Sequence, residues 1–155
     1  MLVRNAANSK EATSSVLSAN QNNQHTVKSA LDPRHLKRIT VFKSLFAGSF
    51  TDQPEHPSRV DKINSHLTQI DEIIQKCAPE WPISQINRVD LAVLRQAVYE
   101  LLYKTQTPTK VIIDEAVEIA KRYGGKTSSS FVNGALAAAI THAGREDSAH
   151  EQPRP

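Results

Sequence analysis

Six histidines, at positions 25, 35, 56, 66, 142 and 150, are the first candidates for chemistry in this 155-residue chain. No two share the short spacing by which one helix or one turn holds a metal ion, and the single cysteine, Cys77, rules out a thiolate zinc cluster. Ser128, Ser129 and Ser130 offer hydroxyls, but no base is spaced to activate one. At the start of a helix they read as capping groups. Gly124-Gly125 follows a helix instead of opening one, so it is a stop signal and not a phosphate-cradling loop. Asp114, Glu115 and Glu118 sit early in a helical pattern, where negative charge complements the helix dipole. This inventory predicts a protein that is not an enzyme and needs neither metal nor cofactor.

The cations are placed more suggestively. Arg34, His35, Lys37 and Arg38 crowd one short stretch, with Lys43 further on, and Lys121, Arg122 and Lys126 flank the Gly124-Gly125 turn. At about 100 degrees per helical residue, Arg34, Lys37 and Arg38 share one face, away from Ile39, Phe42 and Phe46. Beside the second cluster stand Thr127, Ser128 and Phe131. Cations for phosphates, small polar donors and an aromatic ring for a base are what a single-stranded RNA site requires. The competing readings are a solvated surface for the first cluster and core packing for Phe131. A net charge of +3 is too small to choose between them.

The elements that must position these residues are helical. Asp32-Pro33 is a cap followed by the residue best tolerated at a first helical position, and a helix is predicted from Pro33 to about Ala47. Val60, Ile63, Leu67, Ile70 and Ile74 form one apolar stripe, predicting a single helix from Ser58 to Cys77. Pro82 is placed to start one helical turn. Asn87 then caps a helix whose Val89, Val93, Ala97 and Leu101 are flanked by Leu94, Val98 and Leu102, apolar enough to be central. Thr107-Pro108 repeats the cap-and-proline start, and Gly124-Gly125 is expected to end that helix in left-handed geometry. A last helix, capped by Thr127 or Ser128, runs to about His142 with Phe131, Ala135, Leu136, Ala139 and Ile140 inward. Asn133-Gly134, a turn signal, falls inside it. The expectation is that Gly134 lets this helix press against the central one, and that Asn133 hydrogen-bonds a neighbour. Residues 1–31 and 144–155 read as disordered polar tails around a domain at 32–143. No apolar run approaches the roughly 20 residues of a membrane span, and with a lone cysteine the expected location is the cytoplasm.

Three motifs in order carry a resemblance: RVDLAVLRQAVYEL, then PTKVIIDEAVEIAK, then FVNGAL. Together with the basic opening RHLKRITVFKSLFAG, they make the chain similar to the NusB family of bacterial transcription antitermination factors. The resemblance implies an all-α bundle of about five to six helices in two small subdomains, the N-terminal one shortened because the stretch before Ser58 lacks a helix. It further implies binding to boxA-like leader RNA of ribosomal RNA transcripts, jointly with the ribosomal protein NusE, and indirect contact with the RNA polymerase elongation complex. Arg34, Lys37 and Arg38 fall in the family's arginine-rich RNA-contacting start, and Lys126, Thr127, Ser128 and Phe131 in its second RNA region. Phe46 and Asp90 fall on its NusE-facing surface. The rival readings are the RNA-binding domain of a ribosomal RNA methyltransferase and a helical adaptor of the same fold without RNA binding.

Overall fold

The computed structural model describes residues 32–145, and among these every regular element is helical. Six α-helices succeed one another: α1 (Pro33–Gly48), α2 (Ser58–Ser65), α3 (Leu67–Cys77), α4 (Arg88–Tyr103), α5 (Thr109–Tyr123) and α6 (Ser128–His142). A single 3-10 turn, Ile83–Gln85, precedes α4, where Pro82 predicts it. The chain divides after Lys37 into two compact units, and the expected 1–31 tail lies outside the described residues.

Within the first unit, the Asp32 carboxylate accepts from the Arg34 amide at 2.8 Å, which is the predicted cap. Within the second, from Arg38 on, α4 packs against α2, α3, α5 and α6, so the most apolar helix is the central one. Its Val93, Leu94, Val98 and Leu101 are buried together with Ile63, Ile70, Ile112 and Leu136 from four neighbours. Asn87 caps α4 by accepting from the Val89 amide at 2.8 Å.

Four expectations are corrected. The stripe from Val60 to Ile74 does not belong to one helix: His66, at φ −115° and ψ 17°, separates α2 from α3. Its Nδ1 bonds the Lys62 carbonyl at 2.8 Å and its ring lies 4.5 Å from that of Tyr103, so a tertiary contact stabilises the break. Pro108 occupies the cap position of α5 in extended backbone, and Thr107 does not cap it. Gly124 ends α5 at φ −89° and ψ −171°, not left-handed; its smallness serves space, since a Cβ there would collide with Ser128 and the Ala120 carbonyl. In α6, Gly134 and Asn133 face outward, and a Cβ on Gly134 would meet nothing within 4 Å. The inward positions are Val132, Ala135, Leu136 and Ala139, one residue out of phase with a Gly134 crossing.

Beyond α6 the backbone turns back on the bundle. Gly144 adopts φ +66°, its amide donates to the Thr141 carbonyl at 3.1 Å, and the Arg145 amide donates to Ile140 at 2.9 Å. This left-handed cap turns Arg145 inward. The Arg145 guanidinium is buried and donates to the carbonyls of Leu101, Lys104 and Thr107, closing the C-terminal end of α4. Residues beyond Arg145, the rest of the expected tail, lie outside the described residues.

Candidate nucleic-acid interface

The last turn of α5 and the first of α6 carry the second basic cluster. Lys121 and Arg122 end α5, where cations complement the exposed carbonyls, and Lys126 and Thr127 come next on the turn, all exposed. Tyr123, the last residue of α5, gathers two cations. The Arg122 guanidinium lies 5.3 Å from its ring centroid and the Lys43 ammonium 5.5 Å, bringing a cation of α1 to the same ring. Phe42 packs against Tyr123 at 5.2 Å and anchors it to the core. Positive charge from two helices is thereby gathered over one aromatic group.

Beyond the turn an open groove of about 470 Å³ is lined by Trp81, Asn87, Asp90, Thr127, Ser130 and Phe131, among others. An adjoining groove of about 350 Å³ shares Trp81, Ser130 and Phe131 and reaches Gly134. Phe131 is half-buried, so it serves the core with one part and the groove with another; Trp81 is 50% exposed. An exposed aromatic ring such as that of Trp81 offers a face on which an unpaired base can stack.

Several expected site residues have other work. Arg38 lies between helices: its guanidinium holds both Glu100 oxygens at 2.8–3.2 Å and stands 3.8 Å from Glu115. With side-chain exposures of 13% for Arg38 and 4% for Glu100, this is an internal ion pair. His35 is buried. Arg34 and Lys37 are exposed on α1. Ser128 is buried, and its hydroxyl oxygen accepts from the Gly125 amide at 2.9 Å. Ser130 donates to the Thr127 carbonyl at 3.0 Å. These two serine hydroxyls are engaged with the backbone of the turn.

The expected partner-facing residues diverge. Phe46 is half-buried in a ring series with Phe42 at 6.3 Å and Phe50 at 5.1 Å. Phe50 is 62% exposed, and Arg88 lies over it at 4.2 Å while donating to the Ser49 carbonyl. Asp90 is buried at the base of the groove, its Oδ1 without a hydrogen-bond partner. Sequence reasoning overlooked Tyr123 and Trp81. Trp81 stands between prolines outside any helical stripe, and an aromatic residue with no apolar face to join was the available signal.

The described residues form an all-helical bundle that carries a cationic, aromatic surface. The match to the NusB family model over residues 4–141 is more specific, and the chain belongs to the NusB family. It is 45% identical over 111 residues to the transcription antitermination protein NusB of Lachnoclostridium phytofermentans, covering 70% of this chain and 84% of that one. It is 36% identical over 124 residues to the protein of the same name from Thermotoga maritima, covering 67% and 87%. The solved T. maritima NusB structure superimposes with a TM-score of 0.62 at 34% identity, over 70% of this chain and 91% of that one. The fold alone is shared with a chain from the crystal structure of a plectonemic RNA supercoil, with a TM-score of 0.64 at 23% identity, over 72% and 96% of the two chains.

Proposed function

We propose that this chain is a cytoplasmic transcription antitermination factor that binds single-stranded boxA-like RNA of ribosomal RNA leaders together with NusE. The observation that carries the reading is Tyr123 flanked by Lys43 and Arg122, next to the Lys126–Phe131 turn. Phosphates would meet Lys43, Lys121, Arg122 and Lys126, and unpaired bases would stack on Phe131 and Trp81. Arg34 and Lys37, exposed on the first turns of α1, offer phosphate contacts of their own. NusE would dock on the aromatic face of Phe46 and Phe50, with Arg88 at its edge. The assembled pair would then act on the RNA polymerase elongation complex.

The test is titration of the full chain with boxA-like and scrambled oligoribonucleotides, with and without NusE. Tighter binding of the boxA-like RNA, enhanced by NusE, is expected. NusE binding with no RNA affinity in either case would identify a helical adaptor instead.

A further inference from the structure

Asn87 and Asp90 stand three residues apart at the start of α4, a spacing that puts them on one side of the helix. Both line the open groove of about 470 Å³, together with Trp81 and Phe131. Asp90 is 7% exposed, and its Oδ1 is buried without a hydrogen-bond partner. An ionised carboxylate can only accept. A turn about its last side-chain torsion, which is broad and two-fold, exchanges the two oxygens and brings this acceptor to the groove. Asn87 is exposed, and its side-chain oxygen is committed to the Val89 amide at 2.8 Å. That bond leaves its N–H2 as the group it offers a ligand. The groove therefore presents an acceptor and a donor beside two aromatic rings. A flat heterocycle that both donates and accepts along one edge is the complement. Charge selects what carries it. Lys126 precedes Thr127, Arg88 follows Asn87, and both cations are exposed. They attract a phosphodiester and oppose a cationic side chain from a protein partner. Glu80, exposed in the adjoining groove, is the only other acid in either lining.

We propose that this groove is a base-specific subsite for one guanine splayed out of single-stranded RNA, its ring on Trp81 and Phe131 and its pairing edge on Asp90 and Asn87. This deepens the RNA reading given above and rests on it. Guanine alone carries two adjacent N–H donors, at N1 and the N2 amino group, with the O6 acceptor beside them. The Asp90 carboxylate takes the donors, and the Asn87 N–H2 meets O6. Adenine and cytosine have a ring-nitrogen lone pair where guanine has its second donor. Uracil sets a carbonyl on each side of its one N–H.

Trp81 is the only tryptophan of the chain, so its fluorescence reports on the groove directly. The experiment titrates the full chain, Asp90→Asn and Lys126→Ala with oligouridylates carrying one central guanosine, inosine, adenosine or cytidine. Guanosine and inosine 5′-monophosphate at millimolar concentration are added as a separate arm. Inosine lacks only the N2 amino group. The guanosine oligomer should quench Trp81 and bind the wild-type chain about tenfold more tightly than the inosine oligomer, the scale of one hydrogen bond to a charged acceptor. Asp90→Asn keeps the shape but replaces one acceptor with a donor, and it should bind the two oligomers alike. Lys126→Ala should weaken every oligomer by a common factor and leave the guanosine preference in place. Equal affinity of the wild-type chain for all four oligomers would overturn the guanine subsite and leave the RNA reading standing. A guanosine preference that survives Asp90→Asn would overturn it equally. If no oligomer binds, the RNA reading fails, and the monophosphates decide the groove by themselves. Quenching by the guanosine but not the inosine monophosphate, lost in Asp90→Asn, supports a guanine site there, and equal responses overturn it. Loss of NusE binding in Asp90→Asn, with no guanosine preference in the wild-type chain, would give the groove to a side chain of that partner.

Discussion

Arg38 shares a helix face with Arg34 and Lys37 by sequence, yet its charge is neutralised inside the fold by Glu100. Removing it would strand a carboxylate that is 4% exposed. Arg38→Ala should therefore destabilise the chain by about 3–5 kcal/mol in urea unfolding, the usual consequence of breaking a buried pair. Loss of RNA affinity without loss of stability would contradict this. Asp90 makes a second residue-level case. Burial pushes its carboxyl above the ordinary carboxylate range, and the nearby Ser128 side chain opposes this only in part. Between the ordinary and the raised value the folded state holds more protons than the unfolded one, so stability falls as pH rises through that window. Asp90→Asn should be the more stable form at neutral pH, and its advantage should close as pH drops below the ordinary carboxylate range. Urea midpoints measured across pH check the sign.

Each helix terminus here has its own solution, and glycine plays a different part at each. Gly124 makes room for Ser128, whereas Gly144 supplies the one positive φ among the described residues. Gly134 does neither. With open space around it inside a 15-residue helix, Gly134→Ala should raise stability by about 1 kcal/mol, the helix-propensity difference. A drop in melting temperature would show an internal contact at that position after all. At the far end of α6, the Arg145 guanidinium donates to three carbonyls of the α4 terminus and its loop. Arg145→Ala leaves those acceptors without that donor and should cost about 1–3 kcal/mol in thermal or urea unfolding.

On the scale of the second unit, the packing around a central helix brings the end of α5 and the C-terminal part of α1 together. That convergence is what makes Lys43 and Arg122, far apart along the chain, neighbours over one ring. If both contact phosphate, the Lys43→Ala/Arg122→Ala variant should flatten the slope of log affinity against log salt by about 1.4, two single-strand contacts' worth. The loss should be nearly equal for boxA-like and scrambled RNA, because phosphate contacts carry little sequence information. An unchanged slope would remove these two residues from the interface.

Helix identity, the central place of α4, the Asp32 and Asn87 caps and the second basic cluster were legible in the sequence, because each depends on neighbours within a few turns. Apolar periodicity and capping are local, and a turn between two helices keeps its flanking residues together in any fold. Phase and partnership are not local. Nothing between Ser58 and Cys77 announces that His66 will pack against Tyr103 where the stripe breaks, and nothing beside Arg38 announces Glu100, 62 residues away. The same applies to Gly134, whose outward direction depends on which of two adjacent faces of α6 meets α4. Local chemistry determined the helices and the kinds of side chain they carry. Only the packing of those helices decided which cations reach solvent, and which are held by a carboxylate across the core.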